Sequence, residues 1–308
     1  SNSHNRTGTR ASVYYGGEFY DNVFVRQRGQ ATNSSESQKF DFNNGHDLFV
    51  DATTGTVGEI NMNGNGSDPS YLRQVMAFDT FEAAGNPGSQ SFLTYMTVNG
   101  SFDRLGTFIE QVDENLLDRH GFDITGELYK FVQRSNLDPV FTDGVTDGDG
   151  GPDSGTSTGI ERKTGDESEL SDVSSVTDFI AGLHLSTVAQ RQSFLLDNVN
   201  TANLINYFAI RALIRDADDI RKNFYMYQDS RGDNRWRMFP WDKDWTFGVT
   251  GDGGTHLRHP FFGDEEHKKQ NADQWNLLYD VLFEETTTQR LYLLGNNRSG
   301  VVSKHVCP

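Results

Sequence analysis

Over the first third of the chain, apolar and polar positions alternate with a period of two. Ser12-Val13-Tyr14-Tyr15 runs into Gly16-Gly17, and between Phe19 and Arg28 the residues Val23 and Val25 alternate with Phe24 and Arg26. Two short strands joined by a glycine turn are expected. A polar stretch of mostly Ser, Thr, Asn and Glu, 30–38, then separates them from a third strand at Lys39-Phe40-Asp41-Phe42. The period lengthens between Tyr71 and Ala83, where Leu72, Val75, Met76 and Phe78 recur at helical spacing behind Asp68-Pro69, a helix-start signal. Gly85-Asn86-Pro87-Gly88 stops that helix. Asn99-Gly100, set between Thr94–Val98 and Arg104–Ile109, predicts a hairpin.

Residues 143–159 are a run of Asp, Gly, Thr and Ser. Asp147, Asp149 and Asp153 do not complete a calcium loop, because Gly151 and Thr158 stand where oxygen ligands are needed, so a solvated surface loop is expected. Beyond it the pattern turns helical, at Val176–Leu183 and at Leu204–Ile214, with Asp197-Asn198 and Thr201 as N-cap candidates for the second helix. A late helix is expected over Trp275–Phe283. Between these helices, Asn223–Gln228 and Arg235–Phe239 alternate around a Ser230–Asn234 turn and read as a second hairpin. Strands with one helix, then a loop, then mainly helices predict an α+β protein. Its expected shape is bilobed, with a β-rich N-terminal lobe over 12–142, an acidic insertion over 143–160 and a mainly helical C-terminal lobe over 161–300.

Composition narrows the function classes. The 308 residues carry 27 Lys plus Arg against 44 Asp plus Glu, a formal charge of −17, which disfavours nucleic acid and anionic membranes as partners. No apolar run approaches the length that spans a bilayer. Twenty-two Phe, 11 Tyr and 4 Trp supply a large core. The lone cysteine, Cys307, leaves no internal disulfide and no cysteine metal cluster. The polar ends, Ser1–Asn5 and Ser303–Pro308, read as cut edges, so a fragment of a longer chain is expected, and no signal peptide is visible.

The segment with the most chemistry is Ile214 to Gly248. An antiparallel hairpin brings the start of its first strand beside the end of its second, so Asn223 is expected next to Asp242, with Asp218 just upstream. Two carboxylates and an amide oxygen make a hard, oxygen-rich site suited to Mg²⁺ or Mn²⁺. Asp218 and Asn223 also keep the D-x-x-x-x-N interval of a kinase catalytic loop, in which the Asp accepts the substrate hydroxyl proton and the Asn holds a metal. Asp242, in Trp241-Asp242-Lys243-Asp244, stands where a kinase places its later metal-binding Asp, and Asp244 is counted with it among the metal ligands. Taken singly, each of these acids fits a solvated loop or a helix cap better than a catalytic role; it is their joint placement that points to function.

The ordered motifs resemble those of the CotH kinases. The likeness rests on Val25-Arg26-Gln27-Arg28-Gly29 with the polar loop and Lys39 after it, Tyr71-Leu72-Arg73, and Val98-Asn99-Gly100 leading to Ile109-Glu110-Gln111-Val112-Asp113. It continues through Leu128-Tyr129-Lys130, Asp218 with Asn223–Tyr227, and Pro240–Asp244, and so covers Val13 to Leu294. It implies an atypical protein-kinase-like fold that binds ATP with Mg²⁺ (or Mn²⁺) and phosphorylates Ser or Thr of a secreted or coat protein. It also implies an extracellular or coat-associated location. By that likeness Asp218 is the catalytic-loop Asp, Asn223 a metal ligand, and Asp242 the counterpart of the D-F-G Asp.

Position along the chain assigns further candidates. The loop 29–37 lies where a kinase covers its phosphates, but it holds no G-x-G-x-x-G. Arg28 and Lys39 flank it as candidate phosphate contacts, with Glu110 as a partner to orient the lysine and Lys130 as a second candidate for the same task. The alternative for these cations is an ordinary surface ion pair. His256, Arg258 and His259 follow on a glycine-rich loop and are expected at the surface. Three functions stay open: Ser/Thr phosphorylation of a basic protein acceptor, nucleotidyl transfer by the same kind of fold, and a non-catalytic surface or spore-coat structural role.

Overall fold

The computed structural model describes residues 8–28, 37–66, 68–131, 160–165, 169, 172–216, 223–249 and 277–298. The N-terminal part contains β1 (Gly8–Tyr15), β2 (Glu18–Gln27), β3 (Gln38–Asp41), β4 (Leu48–Asp51), β5 (Gly55–Val57) and β6 (Glu59–Asn63). Next come α1 (Arg73–Ala83), β7 (Ser91–Val98), β8 (Ser101–Glu110), α2 (Glu114–Arg119), β9 (Glu127–Phe131) and β10 (Ile160–Arg162). Then follow α3 (Ser174–Leu183), α4 (Val188–Asn198), α5 (Thr201–Leu213), β11 (Phe224–Gln228), β12 (Trp236–Pro240), α6 (Leu277–Phe283) and α7 (Thr286–Arg298). Strands and helices are both present, as an α+β chain requires. No helix among the described residues is long and apolar enough to cross a membrane.

An antiparallel six-stranded sheet, ordered β1-β2-β3-β6-β8-β7, dominates the N-terminal part. Alternation decides its inner face: Tyr20, Val23, Val25, Ile60, Met62 and Phe108 are buried, and Leu48, Val50 and Val57 of the β4–β5 hairpin join them. The expected β7–β8 hairpin is present. Its turn residues Asn99 and Gly100 have φ of 51° and 79°, the left-handed pair that a two-residue hairpin loop needs.

Helix α1 lies where its periodicity placed it, and Asp68 starts it by accepting from the Arg73 N–H at 2.8 Å and from the Ser70 N–H at 3.0 Å. Its buried face differs from the expected one. Gln74, Ala77, Phe78 and Phe81 point inward, while Leu72 and Met76 are exposed. The start of α5 also differs: Asn200, not Asp197-Asn198 or Thr201, is the N-cap, accepting from the Asn203 N–H at 3.0 Å. Asp197 and Asn198 instead close α4, a helix that the apolar pattern did not show.

A second, four-stranded sheet is ordered β10-β9-β11-β12. Although residues 132–159 separate β9 from β10 in sequence, the two pair directly, Phe131 opposite Ile160. This sheet is buried on both faces, which removes the polar half of the usual alternation. Tyr129, Phe131, Phe224, Met226, Trp236 and Met238 face the helical core made by α3 to α7. Leu128, Tyr225, Tyr227 and Phe239 face the opposite way, into a core with Phe78 of α1, Ile109 of β8 and Leu116 and Leu117 of α2.

Candidate functional site

The site is built at the open end of the β11–β12 hairpin. Phe224 pairs with Pro240, and one step further the Trp241 N–H donates to the Asn223 carbonyl at 3.1 Å. Asn223 and Asp242 therefore stand at the same end of the hairpin. Both backbones are left-handed, with φ of 65° and 53°. Asn and Asp are the side chains that enter this conformation as single residues, because their short polar groups can hydrogen-bond locally. Between the two acids of the Trp241–Asp244 motif, Lys243 turns fully inward and ion-pairs with Asp216 at 2.8 Å.

Two cations converge on Trp241. Lys130 sits mid-sheet on β9, opposite Glu161 of β10 and Tyr225 of β11. Its Nζ lies 5.2 Å from the centre of the Trp241 ring and 6.0 Å from that of Tyr225. Arg28, at the end of β2, places its guanidinium 5.5 Å from the centre of the same indole. It is held by a hydrogen bond to the Asn63 side chain and by its own N–H to the Ser37 carbonyl at 3.0 Å. Cations at such distances are attracted by the ring face, and more so when water is excluded.

Burial governs the electrostatics of both groups. Desolvation lowers the pKa of Arg28, and the carboxylates of Asp242 and, more weakly, Asp244 oppose that shift. Desolvation also pulls Lys130 down to about 7, with Glu161 pulling it back up, Lys163 and Arg28 adding to the drop, and Asp242 opposing it. Two cations thus lie against one indole, with the Asp242 carboxylate acting on both. An entering polyanion would relieve their mutual repulsion.

The other candidates fall elsewhere. Lys39 is buried against Glu59, with Lys163 and Asp41 among the charges acting on it and Arg26 opposite it on β2. Glu110 orients neither lysine. Its carboxylate accepts from the Arg119 guanidinium at 2.7 and 3.1 Å and from the Gln90 N–H at 2.9 Å, tying α2 to β8. Strand register accounts for this placement: β8 pairs β6 and β7, whereas β10 sets Glu161 opposite Lys130. Asp218, residues 29–36 of the phosphate-loop candidate, the acidic run 143–159, His256, Arg258, His259 and Trp275 lie outside the described residues.

Trp241, Tyr225, Glu161 and Lys243 were not singled out in the sequence. A usable signal existed for Tyr225, since alternation in the second hairpin puts it on the face opposite Phe224. None existed for Glu161, whose place depends on a pairing across 132–159. Among the described residues, no three His, Cys, Asp or Glu side chains form a ready metal cage. Asn223, Asp242 and Asp244 nonetheless offer hard oxygen donors. That set fits Mg²⁺, which binds through one or two carboxylates and takes its other ligands from water and phosphate.

The paired cations against one indole, beside a carboxylate-bearing hairpin end, are the features of this site, and comparison with known families gives the class of protein. The family described as CotH kinase protein matches residues 25–295, and the chain belongs to it. It is similar to the inner spore coat protein H of Bacillus subtilis (strain 168), 23% identical over 190 residues, which is 62% of this chain and 50% of that protein. The match thus spans about half the length of that relative.

Proposed function

We propose that this chain is a metal-dependent protein kinase that moves the γ-phosphate of ATP to Ser or Thr of a secreted or coat protein. The observation that carries this reading is the convergence of Arg28 and Lys130 on the Trp241 ring, with Asp242 one residue further on. Phosphoryl transfer asks little covalent chemistry of a protein. It needs the triphosphate held, its charge neutralised and the acceptor oxygen aimed.

In this reading Arg28 and Lys130 hold the phosphates, and Glu161 beside Lys130 does the orienting that Glu110 does not. Asn223, Asp242 and Asp244 hold Mg²⁺ or Mn²⁺, which when bound neutralises charge on the β and γ oxygens. Asp218, by its sequence interval to Asn223, accepts the proton of the acceptor hydroxyl. The acceptor oxygen forms its bond to phosphorus as the β–γ bridging bond breaks, and ADP leaves with that electron pair. A bilobed, kinase-like arrangement follows, with the nucleotide between the six-stranded sheet that supplies Arg28 and the four-stranded sheet that supplies Lys130.

The charge of −17 favours a basic acceptor. The name of the Bacillus relative supports a place on a spore coat. Incubation with γ-labelled and α-labelled ATP tests the chemistry. Label transferred only from the γ position supports phosphorylation, transfer from the α position would mark nucleotidylation, and no transfer from either would leave a binding or structural role.

A further inference from the structure

Lys243 sits between two acids of the metal-binding edge, yet its own side chain has no exposure to solvent. Its Nζ reaches the Asp216 carboxylate at 2.8 Å and donates to the Asn223 carbonyl at 3.1 Å. The Tyr207 ring of α5 lies 6.0 Å away. Asp216 is itself almost completely buried, and its N–H returns to the Arg211 carbonyl at the end of α5 at 3.1 Å. One ammonium therefore joins three backbone segments: the end of α5, the residue that opens β11, and the stretch after β12 that carries Asp242 and Asp244. A further bond, Thr246 Oγ1 to the Lys243 carbonyl at 2.9 Å, closes that stretch on itself.

We propose that Lys243 is a positioning residue for the metal-binding edge: by gripping Asp216 and the Asn223 carbonyl, it fixes Asn223 against Asp242 so that their oxygens face one point. This rests on the kinase reading above for its functional meaning, though not for its geometry. Asn223 and Asp242 both turn through the left-handed region, which Asn and Asp enter as single residues, so the Lys243 grip on the Asn223 carbonyl lies between two such turns. A lysine used only to carry charge would be placed at the surface. This one is desolvated completely, which is costly unless its partners are fixed. Groups that orient metal ligands from behind commonly change metal affinity 10- to 100-fold when altered.

Lys243→Met alone takes the ammonium from a buried carboxylate and costs stability, so the test uses Lys243→Met with Asp216→Asn, which removes both charges, and Asp216→Asn alone as the milder variant. Three measurements are made on the full chain: the cooperative melt without ligand, Mn²⁺ affinity with ATP present, and hydrogen exchange of the Trp241 amide. The expected result for the double variant is a retained melt, Mn²⁺ affinity lowered about tenfold or more, and faster exchange at Trp241. Asp216→Asn alone is expected to fall between it and the wild type. A folded variant whose Trp241 exchange and Mn²⁺ affinity both match wild type overturns the proposal. Wild-type protein that binds no Mn²⁺ with ATP ends the kinase reading instead, and the exchange result still decides the role of Lys243.

Discussion

If Lys130 holds the phosphates as proposed, nucleotide binding should depend on pH. Burial holds its pKa at about 7, so the side chain is about 90% charged at pH 6 and about 10% charged at pH 8. Triphosphate oxygens beside it favour the ammonium and raise that pKa again in the complex. Binding at pH 8 must therefore take up close to one proton, and binding at pH 6 takes up almost none. Apparent affinity falls about tenfold across this interval, or about 1.4 kcal/mol. Titration calorimetry with Mg²⁺-saturated ATP, in two buffers of different ionisation enthalpy, reads affinity and proton uptake together. Lys130→Arg supplies the control, because a guanidinium stays charged throughout and should flatten the profile. Equal pH dependence in wild type and Lys130→Arg, or no proton uptake at pH 8, would refute the assignment of Lys130 to the phosphates.

Other substitutions separate structural from binding roles. Trp241 is buried and backs both cations, so Trp241→Ala should cost about 3–5 kcal/mol in chemical denaturation and also weaken nucleotide binding. Trp241→Phe keeps an aromatic face and should lose less of both. Glu110→Gln breaks a buried pair with Arg119 and should cost about 3 kcal/mol of stability, while ATP affinity at a temperature where the variant is folded stays as in wild type. A matching loss of affinity would return Glu110 to the site. Thr187→Ala removes the capping box of α4 and should lower stability by about 1 kcal/mol with no effect on binding, which makes it a useful baseline.

The sequence made some of this architecture readable, for physical reasons that differ by element. The β7–β8 and β11–β12 hairpins showed themselves because their partners are adjacent in the chain and their turns demand particular residues. Helix α1 announced its start through Asp68, but its facing was misjudged because Leu72 and Met76 look apolar while Gln74 is the residue that is buried. Helix α4 buries only Gln192 and Leu195, too little to set up a period, although Thr187 and Gln190 carried a readable cap. Strand β9 gave no alternation, since Leu128, Tyr129 and Phe131 are buried on opposite faces of one sheet. The β4–β5 hairpin and β6 were too short to stand out. At the site, local order placed Asn223 next to Asp242. Which lysine joins Arg28 there depended on the register of β9 against β10 and β11, which no local pattern encodes.

The most direct test of the account is equilibrium binding of ATP to the wild-type chain and to Asp242→Asn, with Mg²⁺ and with EDTA. The account predicts tight binding by wild type only when Mg²⁺ is present, and weak, metal-independent binding by the variant, whose Arg28 and Lys130 remain. Binding that ignores both Mg²⁺ and the Asp242 substitution would contradict it.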